Sequence, residues 1–295
     1  MSEYIKTKTI QIKNTSPWFY LILALLGSVV IYLVLVNIQI FTIDNLLTGL
    51  NNDFWVYVGI GILAQLVDGT MGMGYGATST SFLMALGVPP ALSSTGVHVA
   101  EMFTSGASAI SHIKFGNINK KLVQYLILPG VIGSAVGAYL LADVIDGQVI
   151  KPYISAYMMV LGGIIIYKAL KKTIAKKRTK RLGILAAFGG FMDAVGGGGW
   201  GPIVTSTLIG RGRDPRYTIG SVNTAEFAVS LASGVTFLIF QGINSWQIIV
   251  GLIIGGVVAA PLAAYLVNRV PRKPLMVLVG VLVIVLSLRT LVKLF

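Results

Sequence analysis

The sequence predicts an all-α integral membrane protein with an inverted structural repeat: about seven transmembrane helices plus two re-entrant hairpins of broken helix. Three observations lead there. Of 295 residues, 55% are hydrophobic and only 11% charged, far from the balance of a soluble domain. Several apolar runs approach the roughly 20 residues a helix needs to cross about 30 Å of hydrocarbon, among them Pro17 to Phe41, Trp246 to Val267 and Pro274 to Leu288. Two glycine-rich breaks, VDGTMGMGYG from Val67 to Gly76 and MDAVGGGGWG from Met192 to Gly201, interrupt such runs in matching places. A β-barrel would show alternating segments of about 10 residues instead.

In chain order, residues 1–16 form a basic cytoplasmic N-terminus with Lys6, Lys8 and Lys13. The helix at 17–41 exceeds the roughly 7 to 15 residues of a signal-peptide core and lacks a clear cleavage site, so it reads as a retained, extra transmembrane helix. The first repeat, 54–170, opens with an interrupted unit at 54–88 and continues with helices near 91–112, 122–142 and 152–170. A basic cytoplasmic linker at 171–181 leads to the second repeat, 182–295, with an interrupted unit at 182–210 and helices near 217–240, 246–267 and 274–292. The arms of each interrupted unit, about a dozen residues long, are too short for two spans.

The positive-inside rule supports this layout. With the N-terminus in the cytoplasm, every Lys and Arg except Lys151, Arg289 and Lys293 falls in a cytoplasmic segment, while Asp44, Asp53, Asp143 and Asp146 fall on the other face, where the C-terminus also ends. Full spans in place of the hairpins would move Lys114, Lys120 and Lys121 outside and blur the asymmetry. The net charge of +13 thus reports orientation and contact with anionic headgroups, and a nucleic-acid partner is set aside. The chain reads as multi-pass in a bacterial or archaeal cytoplasmic membrane.

The two breaks belong to a gap-free match at an offset of 125 residues. Asp68 aligns with Asp193, Gly72 with Gly197, Gly74 with Gly199, Gly76 with Gly201, Thr80 with Thr205 and Ser81 with Ser206. Beyond the breaks, His98 aligns with Asn223, Glu101 with Glu226 and Ser105 with Ser230. Three spans separate equivalent points, and an odd number inverts the second copy, a design that recurs in secondary transporters.

Irregular backbone cannot face lipid, so the glycine loops must face protein or a wet cavity. Half-helices starting near Ala77 to Ser81 and Pro202 to Ser206 would aim free N–H groups inward as an anion cradle. On that reading Gly72, Gly74, Gly76, Thr78, Ser79, Thr80, Gly197, Gly199, Gly201, Thr205 and Ser206 bind substrate, with His98 and Asn223. Tight packing of the arms is the alternative for the glycines, and it accounts for Gly133, Gly137, Gly255 and Gly256.

Asp68, Glu101, Asp193 and Glu226 are the acids not placed at an aqueous face. Each costs at least about 2.5 to 3.5 kcal/mol within a membrane, which marks them as candidates for proton or ion coupling. Against this, the aspartates can cap loop N–H groups, and the glutamates can serve as neutral hydrogen-bonding glue. His98 shares a helical face with Glu101, as Asn223 does with Glu226; a proton relay and a satisfied buried histidine both fit. His112 reads as structural. No Lys or Arg is expected in the interior, so a bound anion would depend on N–H groups, hydroxyls, Asn223 and protonated His98.

These motifs resemble the TauE/SafE family, the sulfite exporter-like or DUF81 membrane proteins. The resemblance spans about residues 54–292. It rests on the glycine-rich hairpins, the short arms ending in LGVPPAL and RGRDPRY, and SVNTAEF from Ser221 to Phe227. It implies transport of small sulfur-containing anions such as sulfite or sulfonates, often as export, energised by an ion gradient. Related thiosulfate importers use cysteines along the path; with no cysteine here, that chemistry does not carry over.

The function expected is therefore secondary active transport of small sulfur oxyanions, coupled to a proton or ion gradient by alternating access. A cation transporter or exchanger using the paired carboxylates as ligands is the alternative. An intramembrane enzyme is disfavoured, since no Ser/His or metal-ligand cluster has suitable spacing; no metal or cofactor is assigned. The partners expected are a small anionic sulfur compound and the lipid bilayer, with a homodimer left open.

Overall fold

Proline and capping side chains write the helix ends. The computed structural model describes residues 52–171, 181–243, 246–266, 269 and 271–294. The leader 1–16, the helix expected at 17–41 and nearly all of the linker lie outside the described residues. The elements are α1 (Asn52–Met71), α2 (Tyr75–Ala85), α3 (Pro90–Lys114), α4 (Lys120–Tyr139, prolonged by a π-helical turn, Leu140–Val144) and α5 (Gly147–Leu170). They continue with α6 (Leu182–Gly196), a π-helical turn (Gly201–Thr205) running into α7 (Ser206–Gly210), α8 (Pro215–Gln241), α9 (Trp246–Leu266) and α10 (Arg272–Val292). Among the described residues there is no strand. Pro90 and Pro215 open the two polar helices α3 and α8, where a missing N–H costs nothing. Asp214 caps α8 by accepting from Arg216 N at 2.9 Å, and Asn119 caps α4 by accepting from Leu122 N at 3.2 Å.

Among the described residues, six helices are long and apolar enough to cross a membrane: α1, α4 with its π-helical turn, α5, α8, α9 and α10. The chain is a multi-pass membrane protein. Two elements differ from expectation. The first arm of the first hairpin, α1, runs 20 residues rather than about a dozen, because helix continues past Asp68 and Gly69 and only Gly72 to Gly74 break it. Thr70 supports this last turn by donating to the Leu66 carbonyl at 2.7 Å. Conversely α3, 25 residues long, is too polar to count as an apolar span, since Ser93, Thr95, His98, Glu101, Ser105 and Ser108 are all buried along it. That polar stripe faces protein. On the outer helices the apolar residues face outward instead: Tyr125, Leu128, Ile132 and Val136 on α4, and Leu278, Val281, Val285 and Leu288 on α10, are exposed at helical spacing. Such bands suit hydrocarbon rather than water.

The packing repeats itself. α1 packs on α9 and α6 on α4; α3 packs on α9 and α8 on α4; α3 also packs on α8, and α5 on α10. Adding 125 to the residue numbers of the first half turns each of these pairings into another of the set or into itself. The small residues set close approach: Gly133 lies on the Ala187 backbone, Gly137 on the Phe191 carbonyl and Gly255 on the Val58 carbonyl, as glycines do between membrane helices.

Candidate functional site

The two glycine loops meet in the interior. A Cβ at Gly76 would lie 2.8 Å from the Gly197 carbonyl oxygen, and one at Gly201 would lie 2.8 Å from that of Gly72. These two contacts are each other's images at the 125-residue offset. Only glycine fits so close an approach, and Gly72 and Gly197 also hold φ of 66° and 69°, the left-handed region that other residues resist. Thr80 of the first hairpin locks the junction by donating to the Gly197 carbonyl at 2.6 Å. Tyr157, from α5, donates to the Gly198 carbonyl at 2.9 Å.

Asp193 caps the loop that follows it. Its Oδ1 accepts from Gly199 N at 2.7 Å and Trp200 N at 2.9 Å, the donors left free where α6 has ended and the π-helical turn begins. Asp68 accepts from the Tyr75 backbone N–H in the same way. Each aspartate also faces a side chain from the opposite half. His98 Nε2 donates to the Asp193 carbonyl at 3.2 Å, and Asn223 Nδ2 donates to Asp68 Oδ2 at 3.3 Å. These crossed pairs exchange under the 125-residue shift. Asn223 also reaches Ser108 Oγ at 3.3 Å, and the hydroxyl oxygens of the equivalent residues Ser105 and Ser230 lie 3.2 Å apart.

The four membrane carboxylates thus form one cluster: none of Asp68, Glu101, Asp193 or Glu226 is more than 4% exposed. Glu226 lies within electrostatic reach of the other three. Near them the halves differ in one residue that matters. His98 Nδ1 stands 3.0 Å from Glu101 Oε2 and 3.8 Å from Asp193 Oδ2, at ion-pair distance though not aligned for a hydrogen bond. Since a carbonyl can only accept, Nε2 must carry hydrogen toward Asp193. A proton taken up by the pair sits either on Nδ1 against carboxylate or on Glu101 against neutral imidazole. The pair can therefore bind and release one proton. Asn223 cannot do this for Glu226.

Of the residues expected to bind substrate, Gly72, Gly76, Gly197 and Gly201 form the junction, Gly74 carries φ of 114° at the start of α2, and Gly199 gives its N–H to Asp193. Thr78, Ser79 and Thr205 are buried with hydroxyls that have no protein partner. Thr80 is engaged across the loops, and Ser206 lies farther out, donating to the Pro202 carbonyl. His112 is fully buried with Nδ1 3.2 Å from Asn117 Nδ2.

Two features escaped sequence reasoning. His98, Glu101 and Asp193 offer three ligand atoms within 4.8 Å of one another, a set invisible in the chain because Asp193 lies 95 residues from His98. Lys168 contradicts the expectation of an interior without cations near the hairpins. Its Nζ is partly buried and donates to Ser206 Oγ at 2.6 Å and the Pro202 carbonyl at 3.1 Å. It hid among the basic residues from Lys168 to Arg181; the signal was its place inside an apolar helix.

A bundle of apolar helices around paired broken helices and a buried carboxylate cluster has the construction of a membrane transporter. Residues 57–290 match the family model described as Sulfite exporter TauE/SafE, and the chain belongs to that family of membrane transporters. It is 44% identical over 251 residues to the "Probable membrane transporter protein YtnM" of Bacillus subtilis (strain 168), with 81% of this chain and 82% of that relative covered. No solved structure matches the chain.

Proposed function

We propose that the protein moves small sulfur-containing oxyanions, sulfite or an organosulfonate, out of the cytoplasm by proton-coupled alternating access. Its two halves would sit with opposite orientation in the cytoplasmic membrane, the N-terminus in the cytoplasm and the C-terminus on the other face. The observation that carries this reading is the exchange of crossed contacts: His98 with Asp193 in one half, Asn223 with Asp68 in the other. Two halves that grip each other through equivalent residues can trade roles between inward-open and outward-open states.

Coupling follows from charge. With all four carboxyls ionised the centre repels an anion, and each proton bound there lowers that repulsion. Proton and anion binding reinforce one another, so the two travel together. Net flow is then set by the sum of both gradients, and efflux follows when the cytoplasmic anion outweighs the inward pull on the proton. In this reading the loop N–H groups and the hydroxyls of Thr78, Ser79 and Thr205, which have no protein partner, receive the anion.

The test is flux from liposomes loaded with labelled sulfite or ethanesulfonate. Acidifying the lumen should speed efflux; a rate indifferent to the pH gradient counts against proton coupling, and no flux of any anion removes the reading.

A second reading has its own support. The three ligand atoms of His98, Glu101 and Asp193, with Asp68 and Glu226 close by, could hold a cation that the protein itself carries. Cation-only flux in the same liposomes, or a saturable divalent-ion signal lost in Asp193→Asn, would select it.

A further inference from the structure

Beside the second hairpin lies a cavity of about 240 Å³ with both cationic and apolar lining. Lys168, Lys171, Ser206 and Thr207 line it together with Tyr167, Ile209 and Met276, and the buried Met71 and Met73 of the first hairpin border it. These methionines flank Gly72, the residue whose carbonyl meets Gly201 at the loop junction. The cavity therefore ends one residue from where the two halves touch.

Lys168 is held in place rather than snorkelling free. The Pro202 carbonyl and the Ser206 hydroxyl take two of its three N–H donors, and the third remains for a ligand. Holding a partly buried ammonium against two neutral acceptors leaves its charge uncompensated, a situation that an anion in the cavity relieves. The repeat strengthens the point. Lys293, 125 residues on, donates to the Ala85 carbonyl at 3.4 Å, so the last helix of each half sends a lysine to the outer arm of the other half's hairpin.

We propose that this cavity is a vestibule that binds a small organic anion before it reaches the carboxylate cluster. Lys168 holds the anionic head with Thr207, and Tyr167, Ile209 and Met276 pack on a short apolar tail. The volume is several times the roughly 30 Å³ that a water molecule occupies in the liquid, and a bare inorganic oxyanion would leave the apolar lining of Tyr167, Ile209 and Met276 unfilled. The inference rests on the anion reading of the preceding section and narrows its substrate class to sulfonates with a short carbon chain. An anionic lipid headgroup offers the same chemistry to Lys168, so the test separates the two.

Binding of sulfite, methanesulfonate and propane-1-sulfonate is measured by calorimetry on the full chain in neutral detergent, and flux in phosphatidylcholine liposomes with and without phosphatidylglycerol. Affinity should rise from methanesulfonate to propane-1-sulfonate by about fourfold for each buried methylene. Lys168→Met should weaken binding at least about tenfold and raise KM for flux, because a charge-assisted hydrogen bond is lost. Lys168→Arg should retain most of the affinity, and both variants should elute as wild type in gel filtration. Unchanged affinity and KM in Lys168→Met, with wild-type flux intact, overturn the vestibule and leave the transport reading standing. Flux that depends on Lys168 only when phosphatidylglycerol is present makes it a lipid contact and likewise overturns the vestibule. Failure of the wild type to bind or move any anion removes the transport reading, and the vestibule with it.

Discussion

His98 is the residue that makes the carboxylate cluster chemically unequal, standing where the second half has Asn223. Replacing it by asparagine copies the second half into the first: the amide sits at the level of Nδ1, beside Asp193 Oδ2 as Asn223 Nδ2 sits beside Asp68 Oδ2, and no titratable ring is left for Glu101. His98→Asn should therefore preserve assembly and abolish the response of flux to a pH gradient, measured as efflux from liposomes at matched and unmatched pH. Glu101→Gln should also cut transport, because a carboxamide can neither take up nor release the proton that the carboxyl exchanges with His98. Full activity in Glu101→Gln would remove its coupling role. The same change at Glu226, which lacks an imidazole partner, should leave the pH response in place. At this scale the HxxE and NxxE spacings were legible, since residues three apart share a helical face. Their aspartate partners were not, because 95 and 155 residues of chain separate them.

The hairpins are where glycine and aspartate divide the labour between closeness and capping. Asp193→Ala leaves the Gly199 and Trp200 N–H groups buried without an acceptor and should cost about 1 to 2 kcal/mol. Asp193→Asn keeps an acceptor and should spare most of that, a contrast readable as thermal unfolding of the detergent-solubilised protein. Gly76→Ala places its new carbon 2.8 Å from the Gly197 carbonyl, so the loops must part. Transport should fall sharply while the helical circular dichroism stays; wild-type rates would show that the junction tolerates separation. Gly199→Val should behave alike, since its Cβ would meet the Tyr157 hydroxyl at 2.8 Å. The loops could be placed from glycine clusters alone. The length of α1 could not, because helix persists through Gly69 wherever neighbouring turns and packing hold it.

Across the whole molecule, the pseudo-symmetry makes a test that needs no knowledge of substrate. A contact between equivalent residues maps onto itself when the halves trade roles. The chain has no cysteine, so the pair Ser105→Cys with Ser230→Cys, whose hydroxyl oxygens lie 3.2 Å apart, should oxidise to a single cross-link and still transport. Arrest by that cross-link would mean that the halves slide apart at the centre, against exchange about a shared axis. The amino-acid sequence by itself determined the all-helical membrane class, the 125-residue repeat and the identity of the four buried acids, because hydropathy, glycine breaks and charge are written locally along the chain. Tertiary structure alone decided which half each acid serves, that His98 reaches across to Asp193, and that Lys168 turns toward the second hairpin. Those outcomes depend on helix packing, and close-packed apolar helices can bring together side chains that no spacing in the sequence connects.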